Sequence, residues 1–281
     1  MRNNQKRLGP ESGPQASDVV SPELVNSPLA YAVPTEFVEL PSRGQFYPED
    51  HPLYREDTIE IRYMTAKEED ILASATLIKK GIAIDRLIQN LIVDKRINAK
   101  SLLVGDRGAI MIAARISSYG APYDTALPCN SCLELSDFTF DLSDSKLIGE
   151  CFNESFLKEN NIQYDENSGA FVFSLPKSQV SVGLRMTTGD DEADSANKQD
   201  KENSIITDIL KTLVLSVNGN YDRHVITQFV DSMPARDSKH IREIYIELAP
   251  SISISQQFFC LHCASEEARE VVLSADFFWP K

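Results

Sequence analysis

The stretch Ala126-Leu-Pro-Cys-Asn-Ser-Cys-Leu-Glu-Leu135 places two cysteines three positions apart near the middle of a 281-residue chain. A pair so spaced is half of a metal site, a disulfide-exchange site, or an accident, and the rest of the chain decides which. A second pair stands at Cys260-Leu-His-Cys263, with residues 133–259 between the two. Four thiolates around one tetrahedral ion need two turns that each present two sulfurs, and a two-residue spacer lets both cysteines of a turn face one point. Each pair borders strand-like sequence, as knuckles at hairpin tips would. The leading interpretation is a four-cysteine zinc site on Cys129, Cys132, Cys260 and Cys263, holding one structural zinc per chain.

Four cysteines close the coordination shell, whereas catalytic zinc keeps a position open for water. No His-Glu-x-x-His pattern is present, so the metal is expected to hold parts together. A thiol oxidoreductase is the competing chemistry, but its CxxC opens a helix whose N-terminus lowers the thiol pKa. Neither pair is followed by a helical period. His262 could replace one sulfur as a ligand, against the plainer expectation of an exposed loop histidine. Cys151 reads as a buried apolar thiol. Zinc knuckles often carry glycine after their second cysteine, and here Leu133 and Ala264 occupy those positions.

Composition narrows the class. Hydrophobic residues make up 42%, ordinary for a globular protein. No run approaches the roughly 18–20 apolar residues of a membrane span. The N-terminal segment lacks the apolar core of a secretory signal, which favours a reducing cytoplasm and metal or free thiols over structural disulfides for the five cysteines. The formal charge is −14, from 42 acidic against 28 basic side chains. Proteins that grip phosphates usually carry the opposite sign, so a zinc-dependent regulatory or nucleic-acid-binding module is the second choice.

Periodicity gives an α+β chain: a small helical bundle plus antiparallel strands, with the two cysteine knuckles joined into a zinc-ribbon-like element. Residues 1–34 hold Pro10, Pro14, Pro22, Pro28 and Pro34 among polar residues and read as a disordered or partner-docked tail. Residues 35–125 read as a strand, a turn and a helical subdomain. Thr65-Ala-Lys-Glu68 is a capping box, opening a helix that runs to Lys79-Lys80-Gly81. A second helical pattern runs from Ile84 to about Arg96, and a third, capped by Asp106, reaches Tyr119-Gly120. Residues 126–281 read as an α+β subdomain closed by the four-cysteine site. Strands are expected at Ser136–Asp141, Ala170–Leu175 and Gln179–Met186. An acidic mobile loop is expected at 187–203. Helical stripes follow from Ile205 to Val217, from Val225 to Val230, and from a cap at Asp237 to Leu248. Ser251-Ile-Ser-Ile-Ser alternates as a strand into the second knuckle.

No Walker loop, GxGxxG or GxSxG occurs. Leu103-Val-Gly-Asp-Arg-Gly108 could bind an anion through free helix amides, but reads first as a loop-to-helix turn. No catalytic residues stand out, and the chain is not expected to be an enzyme.

Longer stretches go beyond generic pattern. Val38-Glu-Leu-Pro-Ser-Arg-Gly-Gln-Phe-Tyr-Pro48, Ile59-Glu-Ile-Arg-Tyr-Met-Thr-Ala-Lys-Glu-Glu-Asp-Ile-Leu72, Leu91-Ile-Val-Asp-Lys-Arg-Ile97 and Ile112-Ala-Ala-Arg-Ile-Ser-Ser-Tyr-Gly120 resemble the baseplate protein family of T-even-like contractile-tailed bacteriophages. Met233-Pro-Ala-Arg-Asp-Ser-Lys-His-Ile-Arg242 and the two cysteine pairs, in the same order, are similar as well. The resemblance covers about residues 35–280. It implies a virion structural protein of the tail baseplate, associated with the hub and assembled in the bacterial host cytoplasm. Its partners would be other baseplate, hub and tail subunits, in multiple copies of a symmetric assembly, with no nucleic acid or membrane. The family's structural metal role would fall on Cys129, Cys132, Cys260 and Cys263.

Overall fold

The computed structural model describes residues 33–149, 152–199, 205–273 and 275–278. The first described elements are β1 (Thr35–Glu39) and β2 (Thr58–Arg62), an antiparallel pair with Thr35 opposite Arg62. Alternation drives it: Val38, Ile59 and Ile61 turn inward, and their neighbours face out. The capping box forms as expected. Glu68 accepts hydrogen bonds from the Thr65 amide at 3.0 Å and the Thr65 hydroxyl at 2.7 Å, and pairs with Arg62 at 2.7 Å.

The helix it opens, α1 (Ala66–Ala73), is shorter than the sequence pattern. Ser74 takes extended backbone and starts a separate α2 (Ala75–Lys79), consistent with the preference of serine for helix boundaries. Next come α3 (Ala83–Leu91) and α4 (Val104–Tyr119). The expected run to Arg96 stops at Leu91 because Ile92 leaves the helix to bridge Ile61 of β2.

The chain continues through β3 (Pro122–Pro128), β4 (Leu135–Asp141), β5 (Lys146–Ile148), α5 (Glu154–Glu159), β6 (Gln163–Asp165), β7 (Ala170–Ser174) and β8 (Ser181–Leu184). It then runs through α6 (Gly189–Gln199), α7 (Ile205–Leu213), β9 (Val214–Val217), α8 (Arg223–Asp231), α9 (Ala235–Leu248), β10 (Ser251–Ser253), β11 (Ser255–Phe259) and β12 (Glu266–Glu270). The largest sheet has the order β6-β7-β8-β9, and β1-β2, β3-β4, β5-β10 and β11-β12 are two-stranded. All the named pairings are antiparallel. The architecture is α+β, with a core that draws Leu87, Ile88 and Ile110 together with Phe171, Val214 and Ile241.

Four local expectations are corrected. The acidic segment 187–203 is helical over Gly189–Gln199. Its first turn is tied down by Asp191, which pairs with Arg185 and accepts from the Thr188 amide, and by Glu192, which pairs with the buried Arg107. The stripe from Ile205 to Val217 is helical to Leu213; Val214–Val217 then extends and pairs with β8, as its β-branched residues favour. Asp106 and Asp237 cap neither of their helices. Asp106 lies inside the first turn of α4 and accepts from the Ser42 amide at 3.0 Å, the Ser42 hydroxyl at 2.6 Å and the Tyr47 hydroxyl at 2.8 Å. Asp237 accepts from the amides of Lys177 and Ser178 at 2.8 and 2.9 Å, closing the β7–β8 turn. Both carboxylates serve chain that is distant in sequence.

Candidate metal centre

The cysteine pairs sit at the tips of two hairpins, β3–β4 and β11–β12, in turns built alike. In the first, the Leu133 amide donates to the Cys129 carbonyl and the Cys129 amide to the Glu134 carbonyl, both at 2.9 Å. In the second, Ala264 donates to Cys260 and Cys260 to Ser265, both at 3.0 Å. Such a reversal needs a left-handed residue after the second cysteine, and glycine takes that conformation without a steric penalty. Leu133 and Ala264 take it regardless, at φ of 64° and 58°. The knuckle geometry survives the missing glycines.

The turns bring the four predicted cysteines together. Cys129 Sγ lies 3.6 Å from Cys263 Sγ, and Cys132 Sγ lies 3.7 Å from Cys260 Sγ. All four sulfurs fall within 4.8 Å of one another. A tetrahedron with metal–sulfur bonds of about 2.3 Å has sulfur–sulfur edges of about 3.8 Å. A disulfide would bring a pair to about 2.05 Å. The cluster has the dimensions of a thiolate shell around one ion, and its donors suit a soft-accepting cation such as zinc. His262 is exposed and stands outside the group. Cys151 lies outside the described residues. Neither pair opens a helix, since β4 and β12 follow them directly.

The sulfurs are electrostatically unequal. The Ser265 hydroxyl, 3.2 Å from Cys129 Sγ, leads the contacts that hold this thiol well below its ordinary value, helped by the Cys132 backbone. The Cys263 backbone lowers Cys260 in the same way. The Glu134 amide favours the Cys132 thiolate, but desolvation and the crowding sulfurs outweigh it and push that thiol up. Four packed thiols cannot all ionise beside one another, and a divalent cation at their centre removes the conflict.

Several contacts that sequence spacing did not reveal lock the hairpins together. At their base, Gln256 donates to the Asp141 carbonyl at 2.8 Å and accepts from the Asp141 amide at 3.2 Å. Midway, Phe138 and Phe258 meet edge to face, and Arg269 lies over Phe258, 5.7 Å from its centroid. Arg269 also donates to the Pro128 carbonyl and pairs with Glu267 at 2.8 Å. At the tip, Glu267 accepts from the Asn130 side chain at 2.7 Å and its amide at 3.2 Å. Apart from Glu267 and Arg269 themselves, the partners are far apart in the chain, so no local period signals them. Ser265, two residues after Cys263, is the one near enough to have been noticed.

The helix start at Leu103–Gly108 does not form an open anion site. Gly105 packs against the Pro250 carbonyl, so the backbone of Pro250 and Ser251 covers it. Among the described residues no helix is long and apolar enough to cross a membrane.

An α+β chain with cysteine knuckles on two sequence-remote hairpins, meeting in one four-sulfur cluster, is the class that fold and site define. Residues 33–279 match the family model described as T4 bacteriophage base plate protein, and the chain belongs to that family. Searches of curated proteins and of solved structures returned no match.

Proposed function

We propose that this chain is a structural and assembly component of the tail baseplate, in its hub region, with one structural zinc on Cys129, Cys132, Cys260 and Cys263. It acts by binding other baseplate subunits and not by turnover. The observation that carries the metal assignment is the approach of four sulfurs to within 4.8 Å at the tips of two hairpins; membership of the baseplate family supports the setting. Zinc would supply a closed tetrahedral link between the tips, with no position left for a substrate. The rest is done by this chain's own residues: Asn130, Gln256, Glu267 and Arg269 align the hairpins, and Ser265 orients two sulfurs.

Elemental analysis of the full chain, purified reduced and without chelators, should give about one zinc per chain. Cys129→Ser should lower it severalfold, and a wild-type protein free of metal would rule the site out. Cryo-electron microscopy of baseplates and their assembly intermediates should place the chain near the hub; its absence from both would refute the assembly role. A nucleic-acid-binding module is disfavoured by the −14 charge.

A further inference from the structure

We propose that the tip of the paired knuckles is a docking surface for a partner protein presenting an apolar pocket rimmed by lysine and arginine. The proposal rests on the baseplate assignment for where that partner is found. Leu133, Leu135, Phe259 and Leu261 lie within three residues of a cysteine of the cluster and are 76%, 64%, 50% and 80% exposed. Because the four sulfurs are held within 4.8 Å, these side chains are carried by one end of the molecule. Isolated exposed apolar residues are ordinary, but a group on one rigid element marks an interaction site.

Backbone strain adds a second observation. Leu133 is both left-handed and exposed. A left-handed leucine carries a steric penalty that glycine would avoid, and its side chain recovers little by burial. Neither solvation nor local conformation favours leucine there, and strain of this kind is found where a side chain serves binding.

Charge defines the partner. The two hairpins, Pro122–Asp141 and Ser255–Glu270, contain no lysine and one arginine, Arg269, which is engaged with Glu267 and Pro128. Glu134 and Glu266 are exposed immediately beside the knuckles, and Asp137 is exposed one turn of strand away. Four thiolates around Zn²⁺ would add a net −2 at the same place. Complementary potential requires a basic rim around the apolar contact. It also disfavours a second copy of this tip, or a nucleic acid, as the occupant.

The test uses the full chain in cells assembling baseplates, with a photo-cross-linking amino acid at position 261 and, for comparison, at the exposed Ile246 of α9. Position 261 should cross-link to another baseplate subunit, on a peptide from a lysine- and arginine-bearing apolar surface. Leu133→Asp with Leu261→Asp should lower recovery of the chain in purified baseplates and their intermediates by about tenfold or more. The same variant should keep about one zinc per chain, since aspartate tolerates the left-handed position. Three results would overturn the proposal: no cross-link from 261, a cross-link to a second copy or an acidic surface, or undiminished recovery of the double variant. Wild-type chain missing from baseplates and intermediates would instead overturn the baseplate assignment itself.

Discussion

Replacing Leu133 and Ala264 by glycine should stabilise the protein. Each residue holds a positive φ, 64° and 58°, that its Cβ resists. The left-handed conformation costs an L-residue about 1–2 kcal/mol. Glycine loses more backbone entropy on folding, which returns about 0.4–1 kcal/mol of the gain. Neither side chain contributes compensating burial, since Leu133 is 76% exposed and Ala264 is also exposed. The net gain is about 0.5–1 kcal/mol at each site, and for a chain of this size the pair should raise Tm by about 2–4 °C. The assay is thermal and urea unfolding of the zinc-saturated protein under reducing conditions. Ala264→Gly is the decisive variant because only a methyl is lost. If it leaves stability unchanged or lowers it, the left-handed backbone is not a source of strain. Leu133→Gly carries a second expectation: gained stability together with weakened docking, the trade-off expected where a strained residue serves binding.

Other expectations concern the scaffold. Asp106→Ala leaves the Ser42 amide and the Tyr47 hydroxyl buried without their acceptor, and should cost about 3 kcal/mol in urea unfolding; a loss under about 1 kcal/mol would show that the node is dispensable. Gly105→Ala drives a methyl into the Pro250 carbonyl, and overpacking of this kind should cost about 1–3 kcal/mol, read as a lowered urea midpoint. Asp191 is desolvated, yet its bonds to Arg185 and Thr188 prevail and depress its pKa. A depressed folded pKa gives stability that is present above the unfolded value, about 3.9, and is lost as pH falls through the folded value. Asp191→Asn should therefore be less stable than wild type at pH 7, with the gap closing below about pH 4; a gap that persists to pH 2 would argue against an ionic contribution.

What the sequence disclosed was what recurs locally. The capping box at Thr65–Glu68 was readable because both partners lie within one turn, and the strands flanking the cysteines alternated visibly. The four sulfurs were legible for a different reason. Cysteine pairs with a two-residue spacer are rare enough to be matched across the chain without knowing the path between them. Asp106 and Asp237 show where this fails. Each sits in the first turn of a helix, where a local cap is the economical guess, and each instead serves backbone about 60 residues away. The segment 187–203 fails for a related reason. Its acidity suggested solvation, but Arg107 and Arg185, which hold its first turn, lie outside the segment.

The separation of the knuckles in sequence suggests at first that the metal closes a long loop. The roots of the hairpins argue otherwise. Leu142 is buried and its amide pairs with Ala121, while Ile254 is buried and pairs with the Val271 amide, so both hairpins leave the core from fixed positions. Gln256 and Arg269 then join them along their length. By the time the chain reaches the cysteines, most of the loop-closure entropy has already been met by the core. What an ion would add is local: it would fix six-residue turns that carry the left-handed Leu133 and Ala264 and the exposed Leu261, with the exposed Leu135 and Phe259 on the adjoining strand ends. A surface of that kind collapses or frays without a rigid support. Binding to a partner would then have to order it at a cost in affinity. An ion held by the four cysteines would therefore preorganise the tip, the acidic, apolar end of the molecule on which the proposed docking rests.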